Sequence, residues 1–215
     1  MISKPKPRAR PNALTIEEIN RVIKECKTKK EKLLIIGLIY MGLRISEFIH
    51  MKKSWIINNG EFISVPYTQK CSCYECKKEI YKKIRDKDTK KVIGRKIVKP
   101  SGLWRCKTSS GERKFPLVQE AREIVLNYFK NHNAIMEIIP NRVIAWTIIK
   151  RISKIANVKH KVFPHALRAT FATILVSKGF KELELVNIFG WKTMDMAKEY
   201  VKFGEYEMQK SFEKW

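Results

Sequence analysis

The chain has 215 residues, 44% of them hydrophobic, enough to bury a core without disulfides or metals. Its 45 Lys and Arg against 21 Asp and Glu leave a net charge of +24, the electrostatic footprint of a nucleic-acid binder. No apolar run approaches the roughly 20 residues needed to span a membrane. The basic start Met1-Ile2-Ser3-Lys4 lacks the apolar segment of a signal peptide. A membrane partner is therefore excluded, and a cytoplasmic, nucleoid-associated protein is expected.

Residues 1–12 read as a basic extended arm for DNA, with Lys4, Lys6, Arg8 and Arg10 set among Pro5, Pro7 and Pro11. Thr15-Ile16-Glu17-Glu18 is a capping box that opens a helix, with Ile19, Val22, Ile23 and Cys26 at helical spacing behind it. A second helix runs through Leu33, Leu34 and Leu38 to Tyr40; Gly42 breaks the pattern, and Arg44 to Ile49 begins another helical turn. Phe62 to Val65, stopped by Pro66, predicts a short strand. A Cys-rich loop and a very basic stretch from Lys77 to Lys99 follow. Leu103–Lys107 and Arg113–Leu117 flank Thr108-Ser109-Ser110-Gly111 and predict a hairpin.

From Val118 the period is helical again. Ala121, Ile124, Val125, Tyr128 and Phe129 share one face, and Val143, Trp146, Ile149 and Ile152 share another. Pro164 suits a first helical turn, ahead of Leu167, Phe171 and Leu175, with Gly179 as the stop. Leu183, Val186 and Phe189 mark the next helix, closed by Gly190, and a last one carries Met194 and Ala197 up to Val201. The expected class is α+β, mainly α: a helical bundle with a small antiparallel sheet or hairpin at one edge.

Phosphodiester transfer without a metal needs a nucleophile, cations for the non-bridging oxygens, an acid for the leaving oxygen and a base. Arg44 stands in Gly42-Leu43-Arg44-Ile45-Ser46-Glu47-Phe48 at a helix start, where its planar fork can meet two phosphate oxygens. His165 and Arg168, three apart in Pro164-His165-Ala166-Leu167-Arg168-Ala169-Thr170, share a helix face. Phe189-Gly190-Trp191 is followed nine residues after Trp191 by Tyr200. Singly each has a bland reading, an Arg–Glu helix pair or a solvated helical Arg or His.

In this order, from Thr15 to Tyr200, these motifs resemble the tyrosine recombinases: phage and plasmid integrases, archaeal ones among them, and their relatives in chromosome-dimer resolution. The resemblance implies the catalytic-domain fold of that family over residues 13–203. It implies that Arg44 and Arg168 clamp the scissile phosphate while Tyr200 attacks it, leaving a 3′-phosphotyrosyl bond and a free 5′-hydroxyl. A free phenol titrates near ~10 and is a poor nucleophile at neutral pH, so the two guanidiniums also serve to ease its deprotonation. His165 is the implied base or proton shuttle. Trp191 stands where His is commoner, and its indole N–H donates a hydrogen bond but cannot move a proton. Lys107 is the implied acid for the 5′-oxygen, with Lys114 as its competitor, and Glu47 matches an acidic supporting position. Tyr206, fifteen residues from Trp191, has the wrong spacing.

Neither ATP nor a divalent ion is needed for such catalysis, because the phosphotyrosine retains the bond energy. The implied partners are double-stranded DNA and further copies of the chain, as a tetramer on DNA. The tail at 204–215, with Tyr206, Met208, Phe212 and Trp215, is expected to dock on a neighbouring protomer. Relatives usually carry an additional DNA-clamping helical domain ahead of the catalytic one, and here only the arm precedes it. Two other readings compete. A type IB topoisomerase has the same catalytic groups, and a zinc-containing DNA-binding module needs no activity.

Within an insertion at about 66–107, Cys71, Cys73 and Cys76 lie in six residues, with Cys106 thirty residues beyond Cys76. CxxC with a distant fourth thiolate is a structural zinc pattern, and the arrangement also resembles a Cys-bearing insertion of some archaeal integrases. Cys26 is assigned to the core and His50 is a substitute ligand; the alternative is a set of reduced, unliganded thiols.

Overall fold

The computed structural model describes residues 12–99 and 101–201. The basic arm's Lys4, Lys6, Arg8 and Arg10, and the tail's Tyr206, Met208, Phe212 and Trp215, lie outside the described residues.

Helix α1 (Ile16–Lys24) starts at the anticipated box: the Thr15 hydroxyl accepts from Glu18 N–H and the Glu18 carboxylate accepts from Thr15 N–H. Helix α2 (Lys29–Tyr40) repeats the device with Thr28 and Glu31. Leu33, Leu34, Ile35, Leu38 and Ile39 are all buried, so after its charged first turn α2 is apolar on nearly every side and forms the centre of the domain. It packs against α5 (Gln119–Asn131), α6 (Arg142–Ile155) and α7 (Pro164–Ser177). A short α3 (Ile45–His50) follows α2 after a turn, and Leu14 N–H donates to the Thr170 hydroxyl at 2.9 Å, tying the start of the domain to α7.

The sheet elements form one bent ribbon rather than the expected hairpin. β1 (Ile56–Ile57), β2 (Phe62–Val65) and β7 (Arg113–Pro116) make an antiparallel sheet in the order β1-β2-β7, with Ile63 opposite Phe115. β3 (Thr68–Lys70) pairs with β6 (Leu103–Arg105), Gln69 opposite Trp104. Residues 103–107 and 113–117 therefore do not pair with each other. They are successive pieces of one return strand, each laddered to the outgoing β2–β3 strand, and the residues between them bulge out as a loop. The basic stretch folds on itself as a separate ribbon of β4 (Ile80–Arg85) and β5 (Val92–Lys99), entered through the one-turn helix α4 (Tyr74–Lys77).

Two helices bury a different stripe from the one anticipated. On α6 the inward residues are Ala145, Ile149, Ile152 and Ser153, while Val143 is 73% and Trp146 40% exposed. On α8 (Glu182–Phe189), Leu185 and Phe189 are buried and Leu183 faces outward. In both cases the residue spaced by four from a buried neighbour is covered, because it stacks over that neighbour on the helix face. Helical residues 195–201 complete the domain. It is mainly helical with small antiparallel sheets, as its composition of caps and turns implies. Among the described residues no helix is long and apolar enough to cross a membrane.

Candidate active site

Two chain reversals bring the singled-out residues together. Gly42 follows α2 at φ +57°, and a Cβ there would stand 2.7 Å from Phe189 and 2.8 Å from Phe171. Gly190 closes α8 at φ +58°, and a Cβ there would stand 2.5 Å from the Ser110 carbonyl oxygen. Both positions need glycine twice over, for the left-handed backbone and for the space. Arg168, buried on α7, bridges the two turns by donating to the carbonyls of Gly42 and Phe189. Arg44, at the start of α3, donates to the Gly190 carbonyl at 3.2 Å.

Glu47 is the hub. Its carboxylate is 1% exposed and accepts from Arg44 at 2.7 Å and Arg113 at 2.9 Å, with the Arg168 guanidinium at 3.7 Å. Burial pushes this carboxyl up, but Arg113, Arg168 and Arg44 together outweigh burial and hold it at about 2. One carboxylate against three guanidiniums leaves surplus positive charge in a largely dry place, which is where an anion is best received. Arg44 and Arg168 keep further N–H donors beyond these contacts, since each fork carries five.

Arg113 was not anticipated as part of this cluster. It also donates to the Ile188 and Gly111 carbonyls, both at 2.7 Å. Strand alternation could have found it: Arg113 and Phe115 face inward on β7, and Lys114 and Pro116 face outward. The same alternation turns Lys114 away from the cluster. Lys107 is instead on the loop between β6 and β7, an exposed side chain on a loop that docks through the Ser110 hydroxyl onto the Gly190 carbonyl at 3.3 Å.

His165, near the start of α7, is exposed as a residue yet close enough to the cluster to feel its charges. Burial against the surrounding protein lowers its pKa below the usual 6.5, and Arg168, Arg44 and Lys107 push the same way against Glu47. Tyr200 stacks on Trp191 with ring centroids 5.2 Å apart, and Trp191 stacks on Phe189 at 4.7 Å. The Arg168 guanidinium lies 5.0 Å over the Phe189 ring, a cation–π contact. Burial draws that guanidinium well below its ordinary value, opposed first by Glu47 and further along by the Tyr200 phenol. The structure thus brings Arg44, Glu47, Lys107, His165, Arg168, Trp191 and Tyr200 to one place within a single subunit.

The family model for the phage integrase family matches residues 12–205. This chain belongs to that family. It is 26% identical over 210 residues to the tyrosine recombinase XerA of Thermococcus kodakarensis, covering 97% of this chain and 64% of the relative. It therefore spans about two thirds of that relative's length. A crystal structure of XerA recombinase superposes with a TM-score of 0.65 at 16% identity, over 97% of this chain and 65% of the other. The catalytic domain of bacteriophage HP1 integrase superposes with a TM-score of 0.54 at 17% identity, over 94% of this chain and 93% of that domain. These likenesses show the fold.

In this integrase-family chain the cysteines divide differently from expectation. His50, Cys71, Cys73 and Cys76 offer ligand atoms all within 4.8 Å of one another. Cys106 is not in that group. Its thiol donates to the Pro66 carbonyl at 3.4 Å, inside the ribbon. Trp104, on β6, stacks on His50 at 5.5 Å, while Cys106 lies past the end of β6, where the chain leaves the strand and the side chain packs against the loop at Gly111. Cys26 is buried and donates to the Val22 carbonyl at 3.3 Å, a core residue.

Proposed function

We propose that this chain is the strand-cleaving domain of a site-specific DNA recombinase, an integrase or excisionase that breaks and rejoins DNA through a 3′-phosphotyrosyl intermediate. The observation that carries this reading is Tyr200 stacked beside a cluster in which three guanidiniums share one buried carboxylate.

A backbone phosphate is received by the donors that Arg44 and Arg168 keep beyond their carbonyl and Glu47 contacts. The Tyr200 phenolic oxygen attacks phosphorus and its proton passes to His165, which is neutral and able to accept it because its pKa is lowered. The bond from phosphorus to the 5′-oxygen breaks, and Lys107 supplies the proton that makes this oxygen a hydroxyl. Trp191 gives Tyr200 a flat apolar surface to lie on and contributes one N–H donor, with no part in proton transfer. Rejoining is the same path reversed, by a 5′-hydroxyl of the same or another strand, so no ATP is consumed. The side-chain set supplies every charge and proton the step needs, and the thiol-rich insertion serves structure.

Double-stranded DNA as partner is supported by the net charge of +24. It is also supported by the β4–β5 ribbon, which holds eleven Lys and Arg against three acidic residues over 77–99. There Lys83 lies directly opposite Arg95 across the ladder. Like charges in that position destabilise an isolated ribbon, and a polyanion relieves them. Exchange of strands between sites calls for paired subunits, a tetramer on DNA, and for DNA in the cytoplasm with the nucleoid. Because Tyr200 and both arginines belong to one subunit, a second reading has support: a monomer that relaxes supercoiled DNA as type IB topoisomerases do.

The test is incubation with a pool of nicked duplexes of randomised sequence, in which cleavage near the nick releases a short strand and traps the covalent product. A denaturant-resistant protein–DNA adduct is expected. Recombinant products from plasmids carrying two copies of the captured sequence support the recombinase, and relaxation alone supports the topoisomerase. No adduct from any sequence overturns both.

A further inference from the structure

The insertion between β3 and β6 returns to the helical body at His50, the last residue of α3. The imidazole Nδ1 lies 2.7 Å from the Ser46 carbonyl oxygen, which can only accept, so Nδ1 carries the proton. Nε2 is thereby left with its lone pair, and it points at the sulfurs of Cys76 and Cys73, 3.4 and 3.5 Å away. Cys71 completes the group, and Cys76 N–H donates to the Cys73 sulfur at 3.3 Å, fixing the turn between the two cysteines. A tetrahedral zinc with Zn–S near 2.3 Å and Zn–N near 2.0–2.1 Å has ligand–ligand edges of roughly 3.5–3.8 Å. The two nitrogen–sulfur separations, 3.4 and 3.5 Å, lie close to the short end of such edges.

We propose that His50, Cys71, Cys73 and Cys76 bind one zinc ion that clamps the insertion to α3, and that this clamp positions Lys107 relative to Arg44. Three chain segments meet at the clamp. Helix α3 carries Glu47 about one turn before His50, and Arg44 caps its other end. The knuckle of Cys71 to Cys76 is laced to the return strand, where Gly102 N–H donates to the Cys76 carbonyl at 2.8 Å and Cys71 N–H donates to the Gly102 carbonyl at 2.9 Å. From Gly102 the return strand runs through Trp104, which stacks on His50 and packs at a tilt against Trp55, to Cys106, whose N–H donates to the Tyr67 carbonyl at 2.9 Å. Lys107 is the next residue. Gln69 holds the same frame from the outgoing strand, donating to the His50 carbonyl at 2.6 Å and accepting from the Trp55 indole at 2.8 Å. The metal has no donor from the cluster around Glu47 and no step in the chemistry. Its effect is on where the loop that bears Lys107 begins.

Metal content of the purified full chain tests the site, and it does so without any DNA. Wild type is expected to carry about one zinc per chain in a closed four-ligand site. Cys73→Ser, Cys76→Ser and His50→Ala are expected to lose it, while Cys106→Ser and Cys26→Ser keep it. Should the ligand variants fail to fold, wild type loaded with cobalt decides the matter, since a tetrahedral thiolate site gives intense visible bands and sulfur-to-metal charge transfer. Metal-free wild type, a cobalt spectrum of octahedral character, or loss of zinc in Cys106→Ser equal to that in Cys73→Ser overturns the site.

The positioning role, which rests on the proposed cleavage, is read with a substrate bearing sulfur in place of the 5′-bridging oxygen, a leaving group that needs no proton. Zinc-stripped wild type is expected to cleave the ordinary substrate more slowly, on the order of tenfold or more, and to recover on the sulfur substrate. A defect that persists on the sulfur substrate overturns the positioning of Lys107. Failure of the cleavage reading itself looks different: no adduct with zinc present, and metal content unchanged.

Discussion

Replacing Glu47 by Gln keeps the shape of the hub and removes its charge. The carboxyl is held at about 2 from an ordinary 4.5, so ionisation of this one group stabilises the fold by about 3 kcal/mol. The same order follows from leaving buried guanidiniums without their anion, about 3–5 kcal/mol. The sign can be checked by pH. A depressed acid contributes stability that is fully present above its unfolded value and is lost as pH falls through its folded one. Near pH 7 the variant is therefore expected to unfold about 3 kcal/mol more easily than wild type in urea, and near pH 3 the gap should shrink to roughly half of that. A gap of the same size at both pH values, or a variant as stable as wild type, refutes the view that Glu47 is the ionised anchor of three arginines. Cleavage should fall in parallel, because Arg44 and Arg168 lose the partner that aims them.

Lys107→Ala is expected to slow cleavage by about a hundredfold or more, as loss of a general acid does, and to recover on a substrate with a sulfur leaving group. Lys114→Ala, on the outward face of β7, should leave cleavage within about twofold of wild type, and equal defects in the two variants would refute the assignment. Since cations and burial lower His165 below 6.5, the acid limb of the pH–rate profile for the free enzyme should fall below that value. In Lys107→Met, one of those cations is gone and the His165 pKa, followed by NMR, should rise; a fall contradicts the electrostatics. Neutralising Lys83, Arg95 and Lys96 together should flatten the plot of log affinity against log salt by ~0.9 for each phosphate that the ribbon no longer neutralises. An unchanged slope would remove the ribbon from the DNA interface.

The parts of the fold that were legible in the sequence are those written by local chemistry. Thr15 with Glu18, Pro164 at a first turn, Gly190 at a helix end and the strand stopped at Pro66 each need only their neighbours to be read. The candidate site was legible through motif order, which named the side chains but not how they are held. Arg113 escaped because its role depends on Glu47, sixty-six positions away, and on which face of β7 is covered. Beside the three clustered thiols the sequence left two residues open, Cys106 by its spacing and His50 as a substitute. Cys106 matches the spacing of a ligand, yet its thiol turns to the Pro66 carbonyl, and it is His50, on a helix before the insertion, whose ring nitrogen lies within 4.8 Å of the three sulfurs. The hairpin expected at 103–117 failed because both of its arms pair with the outgoing strand instead, and nothing local distinguishes a turn from a bulge. Val143, Trp146 and Leu183 were expected on marked helix faces; they are apolar residues that the bundle leaves outside.

The central claim is that one phenol makes the bond to DNA, and peptide mapping of the trapped adduct reaches it most directly. After nuclease trimming and proteolysis, mass spectrometry should find the residual nucleotide on Tyr200 and nowhere else, with no adduct from Tyr200→Phe. A nucleotide on Tyr206 or on any other side chain, or an adduct that persists in Tyr200→Phe, would contradict the account.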